Sequence, residues 1–250
     1  MSPAELILTG ERTLPGISRE NYWFQRHLIA YERAMTTAGG GRVIDVGCGE
    51  GYGPAMLADV ADEVLGVDIA PEVVEHASAT YPAANLSFRV MDVGALQIED
   101  CSFDLAVSFQ VVEHLVDVSG YFDELSRVLR PGGVAMITTP NRLTISPGRD
   151  EPINPFHLRE YTPDELEAEL SSHFDEVSLE GMYHAGMLSL NDKVRLVDFI
   201  KVYEMSPANP RLWAHRIVTP LVRTRDFRLA GGDIEDCLDI LATCRKVGRS

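Results

Sequence analysis

Cysteine, positive charge and long apolar runs are scarce in this 250-residue chain. Its cysteines, Cys48, Cys101, Cys237 and Cys244, form no CxxC pair and no metal-ligand spacing, which argues against a zinc ribbon or a disulfide scaffold. Lysine and arginine number 22 against 38 acids, a formal charge of −16. So acidic a chain repels phosphate backbones and anionic lipid, so neither nucleic acid nor membrane is an expected partner. No apolar run reaches the ~20 residues that span a bilayer. The opening MSPAELILTGERT has no basic start and no long apolar stretch, so it does not read as a signal peptide and the expectation is a cytoplasmic protein. The positive charge that exists is crowded: Arg211, Arg216, Arg223, Arg225 and Arg228 either face an acidic substrate or balance nearby carboxylates.

What the chain does have is VIDVGCGEGYG, Val43 to Gly53, a short buried strand running into a glycine-rich turn and a helix. A dinucleotide fingerprint needs glycine at its first, third and sixth positions. Gly47 and Gly49 supply the first two, but Tyr52 occupies the sixth, and Glu50 puts a carboxylate where a pyrophosphate would sit. The loop is therefore suited to a cationic nucleoside, and S-adenosylmethionine is the ligand expected. Cys48 reads as packing within that loop.

Apolar periodicity and punctuation lay out the rest. A helix is expected from about Ser18, as its cap, to Thr37, stopped by three glycines. Strands at 42–46, 63–67, 86–90, 103–109 and 134–139 then alternate with helices at 51–60, 71–80 and 119–129. Arg130-Pro131-Gly132-Gly133 reads as a sharp stop and turn. Residues 140–157 contain four prolines and read as a functional loop. Thr162-Pro163-Asp164-Glu165 opens a helix through a capping box. A strand at 176–183, a helix-rich stretch at 185–235 without strands, and a last strand at 237–245 complete the chain, with no internal repeat. The expected fold is α/β, a Rossmann-like seven-stranded, mostly parallel sheet with helices on both faces. It is expected as one domain: an N-terminal helical cap (1–41), a cofactor-binding core (42–184), an acceptor-side insertion (185–235) and a last strand with its tail (236–250).

Open parallel sheets bind ligands at the carboxyl ends of their strands. The first strand ends at Asp45 and leads to Gly47 and Gly49. The second ends at Asp68, a carboxylate placed for ribose hydroxyls, followed by Ile69. After the third comes Asp92, placed for an exocyclic adenine amine, with the Val93 amide for a ring nitrogen. The fourth ends at Phe109-Gln110 and runs into Val111-Val112-Glu113-His114-Leu115. VIDVGCGEGYG, the acid of GVD, VMDVGAL, FDLAVSFQVVEHL and LRPGG together resemble the class I S-adenosylmethionine-dependent methyltransferases over residues 42–141. That resemblance implies an antiparallel last strand, with Asp45 and Gly47 at the methionine end, Asp68 at the ribose and Asp92 at the adenine. The flanking GERTLPG, ENYWFQRHLIAYER and NPFHLREYTPDEL resemble actinobacterial methyltransferases of sugars and polysaccharides. An O-methyltransferase acting on a carbohydrate or polysaccharide precursor is thereby implied, with a small-molecule or oligosaccharide acceptor. The oligomeric state stays open.

Methyl transfer from a sulfonium is an in-line displacement, and a sugar hydroxyl needs a base or a metal to release its proton. His157, in the proline-rich loop, and His114, at the mouth of the donor site, are the candidate bases, with Glu113 to orient His114 or accept a substrate hydroxyl. Arg12 and Trp23 are expected to close over the cofactor, the first toward its carboxylate and the second against its face; Trp23 as core is the other reading. His27 is expected to shape a lid. A divalent metal is left open, since Asp117, Asp150 and Glu151 are scattered acids without ligand spacing. Three rivals remain: a small-metabolite N- or C-methyltransferase, a catalytically silent S-adenosylmethionine-binding subunit, and a nicotinamide dehydrogenase disfavoured by Glu50 and Tyr52.

Overall fold

A computed structural model describes residues 13–149, 151–194, 197, 199 and 209–247. Strands β1 (Arg42–Val46), β2 (Glu63–Asp68), β3 (Leu86–Val90), β4 (Phe103–Phe109), β5 (Leu129–Pro140), β6 (Glu176–His184), β7 (Phe227–Ala230) and β8 (Asp239–Arg245) form one sheet in the order β3-β2-β1-β4-β5-β8-β6-β7. The first five pair in parallel, while β8 is inserted antiparallel between β5 and β6. Strand order reverses between β1 and β4, which opens a crevice at their carboxyl ends.

The sheet is a strand wider than expected. β7 lies inside the stretch read as strandless, where FRLA is too short for alternation to show, and it pairs antiparallel with β6. The turn Arg130–Gly133 does end a helix, but it is drawn into β5, where the pairing with β4 shifts between Phe103 and Leu105. Helix α1 (Asn21–Ala38) starts three residues later than Ser18, with Glu20 before it and no side-chain cap.

Period-two alternation builds a core on each face. Ile44, Ala106 and Ile137 join one cluster with α4 (Val118–Val128) and α6 (Pro163–Leu170); α4 contributes Tyr121, Phe122 and Leu125, and α6 contributes Leu166 and Leu170. Val43, Leu105, Val107 and Met136 face the other way, onto α1 and α2 (Tyr52–Ala58) through Ala30, Tyr31 and Leu57. Each fully buried large side chain contributes about 1.5–3 kcal/mol. Proline opens α3 (Pro71–Thr80), and the Thr162–Glu165 capping box opens α6. A third cluster ties the late insertion to the cap: Tyr22 stacks on Phe199 at 4.0 Å and meets Phe227 at 5.5 Å. Arg26 of α1 reaches Asp239 at the start of β8 in a buried ion pair of 2.5 Å. Among the described residues no helix is long and apolar enough to cross a membrane.

Candidate functional site

A cavity of about 360 Å³ opens at the carboxyl ends of β1, β2 and β4. Its floor is the glycine turn, and the turn needs its glycines: Gly47, Gly49 and Gly51 have φ of 84°, 54° and 101°. A Cβ on Gly47 would stand 2.5 Å from Val111 Cγ2, so the chain leaving β4 closes directly over it. Asp68 locks the turn to β2, its Oδ2 accepting from the Gly49 N–H at 3.1 Å and its Oδ1 from the Ala70 N–H at 3.0 Å. Asp92 accepts from the Gly94 N–H at 2.9 Å. Gly47, Gly49, Asp68, Ile69, Asp92, Val93, Phe109, Gln110 and His114 all line this one cavity.

Other expected residues are placed differently. Asp45 is buried and is not part of the lining; Tyr31 covers it and donates to its Oδ2 at 3.0 Å. Burial pushes the Asp45 carboxyl up to about 7, against the opposing effect of the Tyr31 hydrogen bond. Trp23 does not line the cavity either. It packs edge-on to Tyr22 at 5.1 Å, under the Arg26 guanidinium at 5.1 Å, because α1 turns that face toward the insertion. Arg12 and Asp150 lie outside the described residues, and Asp117 caps α4 by accepting from the Gly120 N–H. Glu50 lines the cavity, yet its carboxylate is held by the Tyr81 hydroxyl at 2.7 Å and by His76 at 3.0 Å, stapling the glycine turn to α3.

Beyond β4 the cavity is bordered by the short 3-10 turn Val112–His114. The loop from Asn154 to Arg159 lies against it: Leu158 N–H donates to the Glu113 carbonyl at 2.8 Å, and His114 Nδ1 donates to the Phe156 carbonyl at 2.9 Å. With its hydrogen on Nδ1, the neutral His114 ring carries its lone pair on Nε2. His157 sits behind it with ring centroids 5.1 Å apart, outside the cavity lining. Both nitrogens of His157 are engaged, Nδ1 donating to Glu160 Oε1 at 2.8 Å and Nε2 accepting from Asn154 Nδ2 at 2.9 Å. Asn154 cannot turn over without loss, since its Oδ1 accepts from the Phe156 N–H at 3.0 Å. Glu113 is fully buried; Thr139 donates to its Oε2 at 3.1 Å, while its Oε1 has no partner. Burial pushes this carboxyl up to about 8.

Glu113, His114 and His157 bring one ligand atom each within 4.8 Å of one another, and each histidine Nδ1 donates to a carbonyl or a carboxylate, but His157 could ligate through Nε2 only by giving up the Asn154 amide. These three, and not the acids weighed from sequence, are the residues that could hold a cation.

Sequence reading missed Thr13 and Tyr31 in the cavity wall. His27 and Tyr31, four apart on α1, carry a signal that one helix face looks at the ligand. Thr139, Glu160 and Asn154 carry none, because their partners are set by tertiary packing.

A glycine turn at a topological switch point, with Asp68 and Asp92 lining the same cavity, is the arrangement of a nucleoside-binding α/β core. Comparison with known proteins agrees. Residues 44–137 match the model of the family described as "Methyltransferase domain". A Mycolicibacterium smegmatis protein named "Probable S-adenosylmethionine-dependent methyltransferase" is 42% identical over 96% of this chain and 95% of its own length. The chain belongs to the S-adenosylmethionine-dependent methyltransferase family and is an enzyme that takes S-adenosylmethionine as its cofactor. A ubiquinone biosynthesis O-methyltransferase of Xanthomonas oryzae is 33% identical over 46% of this chain and 49% of its own. A solved methyltransferase from Archaeoglobus fulgidus shares the fold at a TM-score of 0.59 and 16% identity, over 90% of this chain and 94% of that one.

Proposed function

We propose that this methyltransferase is an O-methyltransferase that acts on the hydroxyl of a carbohydrate or polysaccharide precursor, with His114 as the base. The observation that carries the reading is the hydrogen bond between His114 Nδ1 and the Phe156 carbonyl. The His114 Nδ1 hydrogen is held by the Phe156 carbonyl, so Nε2 is the basic nitrogen of a ring that lines the donor cavity. A hydroxyl aligned with the sulfonium passes its proton to Nε2 as the carbon–oxygen bond forms and the carbon–sulfur bond breaks. The Phe156 carbonyl then supports the imidazolium. The relative from Xanthomonas oryzae, named as an O-methyltransferase, supports oxygen as the acceptor atom, and the sugar-enzyme likeness of residues 10–33 and 154–166 supports a carbohydrate. His157, with both nitrogens bonded, fits a supporting role better than that of base.

Transfer of labelled methyl from S-adenosylmethionine to a panel of glycosides, phenols and amines tests this. Glycosides are expected to turn over fastest; turnover confined to amines sinks the reading.

One observation favours a second route at the same place. Glu113 Oε1 is buried without a hydrogen-bond partner, and one Glu113 oxygen lies within 4.8 Å of a nitrogen of His114 and of His157, a grouping that a divalent cation could complete if Asn154 released His157. Such a cation would acidify the acceptor hydroxyl in place of a base. Unchanged turnover after exhaustive chelation excludes that route, and loss restored by added Mg²⁺ or Mn²⁺ replaces His114-as-base with His114-as-ligand.

A further inference from the structure

His114 is one end of a series of hydrogen bonds that runs away from the cavity. Its Nδ1 donates to the Phe156 carbonyl at 2.9 Å, and the Phe156 N–H donates to Asn154 Oδ1 at 3.0 Å. Asn154 Nδ2 donates in turn to His157 Nε2 at 2.9 Å, and His157 Nδ1 donates to Glu160 Oε1 at 2.8 Å. Every donor points the same way, from the histidine at the cavity toward a buried carboxylate, with the Phe156 backbone joining the two stretches. The far end imposes that direction. An ionised carboxylate only accepts, so His157 carries its hydrogen on Nδ1 and presents its Nε2 lone pair to the Asn154 amide.

Both ends of the loop are fixed. Ile153 N–H donates to Ser146 Oγ at 2.9 Å. Beyond Glu160, Tyr161 bridges to Asn141 just past β5, and its carbonyl accepts from the Arg142 N–H at 2.8 Å. The Arg159 guanidinium lies 4.5 Å over the Tyr161 ring. Apolar side chains would close such a loop at less cost than a buried histidine set against a carboxylate whose Oε2 has no partner. What the polar closure provides is a single geometry, with the Phe156 carbonyl turned onto His114.

We propose that Asn154, His157 and Glu160 are positioning residues of the transfer reaction, acting through the Phe156 backbone to keep the hydrogen of His114 on Nδ1. None of the three lines the donor cavity. The proposal rests on His114 as the base: with its hydrogen on Nε2 instead, the ring has no lone pair there for the acceptor's proton. A triad carboxylate holds its histidine in the productive tautomer in the same sense. Here the carboxylate acts from three side chains away.

Nitrogen-15 NMR of the histidine-labelled full chain, with S-adenosylhomocysteine bound and no acceptor, tests the assignment. The His114 signals are identified by their loss in His114→Gln. In mildly alkaline buffer the wild-type ring is expected to be neutral with its hydrogen on Nδ1, and a hydrogen on Nε2 overturns the proposal outright. Asn154→Ala and Glu160→Ala should each bring the Nε2–H form into the His114 signals. Glu160→Gln, which keeps an acceptor for His157, should restore the wild-type pattern. S-adenosylhomocysteine affinity within twofold of wild type reports that the variants are folded. In both alanine variants, turnover at saturating acceptor should fall about 10–100-fold, with acceptor KM changing less. Unmoved His114 signals overturn the proposal whatever the turnover, and leave the base reading standing. A tautomer shift with turnover unchanged sinks His114 as base and leaves the hydrogen-bond assignment intact, so the two readings fail separately.

Discussion

The donor half of the site and its acceptor half are built by different means. On the donor side the key contact, Gly49 N–H to Asp68, spans 19 residues and joins neighbouring strand ends, and its turn conformation is fixed by backbone that only glycine adopts readily. On the acceptor side the key contact, His114 to the Phe156 carbonyl, spans 42 residues and depends on a proline-rich loop settling on a 3-10 turn. The difference teaches where change is tolerated. A loop held by a few hydrogen bonds can be reshaped without disturbing the sheet, whereas the glycine turn cannot move without displacing Val111. On the proposed reading, donor identity is written into the core of the fold, and acceptor identity into what is laid over it.

The sharpest test of this division is His114→Ala. If the halves are independent, turnover should fall by about 10²–10⁴-fold, the usual contribution of a positioned base, with S-adenosylhomocysteine affinity within twofold of wild type by calorimetry. A parallel loss of donor affinity would break the comparison and make His114 part of both halves.

Asp68→Ala should do the reverse. Removing it takes a carboxylate from the cavity wall and leaves the Gly49 and Ala70 N–H groups without that partner. Donor affinity should drop by about 10–100-fold, as expected for a charged hydrogen-bonding group. Turnover at saturating donor should fall much less. An equal fall in saturated turnover would mean that the turn also aims the methyl group.

The same division explains what the sequence revealed. Asp68, Asp92 and the positive-φ glycines were legible as cavity-lining residues because strand ends and local backbone leave marks at fixed spacing. Of the acceptor side, His114 could be found, since it follows β4 directly. That His114 lines the cavity while both nitrogens of His157 are bonded could not, because Asn154 and Glu160 reach His157 only once the loop is folded. Asp45, expected at the methionine end, lies behind Tyr31, and that cover could not be read from the sequence because Tyr31 comes from α1. β7 escaped notice because four residues carry too little alternation, and its pairing with β6 is a tertiary fact.

Asp45 allows the donor half to be probed by pH. Its carboxyl is pushed up to about 7 in the folded protein by burial, above the ~3.9 of an unfolded chain. Between these values the folded state binds more protons than the unfolded one. The stability contributed by protonated Asp45 is therefore complete below pH ~4 and is lost as pH rises through 7, by about 1.4 kcal/mol per unit within that window. Asp45→Asn keeps an acceptor for Tyr31 and removes the titration, so its melting temperature should gain on wild type between pH 5 and pH 8. Saturating S-adenosylmethionine brings cationic groups that favour ionised Asp45, so it should flatten the wild-type dependence. An identical pH dependence in variant and wild type would remove Asp45 from the account.

The smallest effect is expected where sequence reading assigned a ligand contact that the structure does not make. Trp23 lies one helical turn before His27, yet its ring packs on Tyr22 and beneath Arg26, outside the cavity. Trp23→Leu should therefore cost about 1–2 kcal/mol of stability through lost aromatic and cation–π contacts, measured by denaturant unfolding. Donor affinity should stay within twofold. A tenfold loss of S-adenosylhomocysteine binding would show that the face of α1 turned to the insertion also governs the donor. The boundary between the two halves would then run through the insertion and no longer between the glycine turn and the loop that carries His157. Since Arg26 couples this face to β8 through Asp239, the inverse result carries equal weight: unchanged binding means that the cap reaches the donor only through the Thr13, His27, Tyr31 and Tyr52 side.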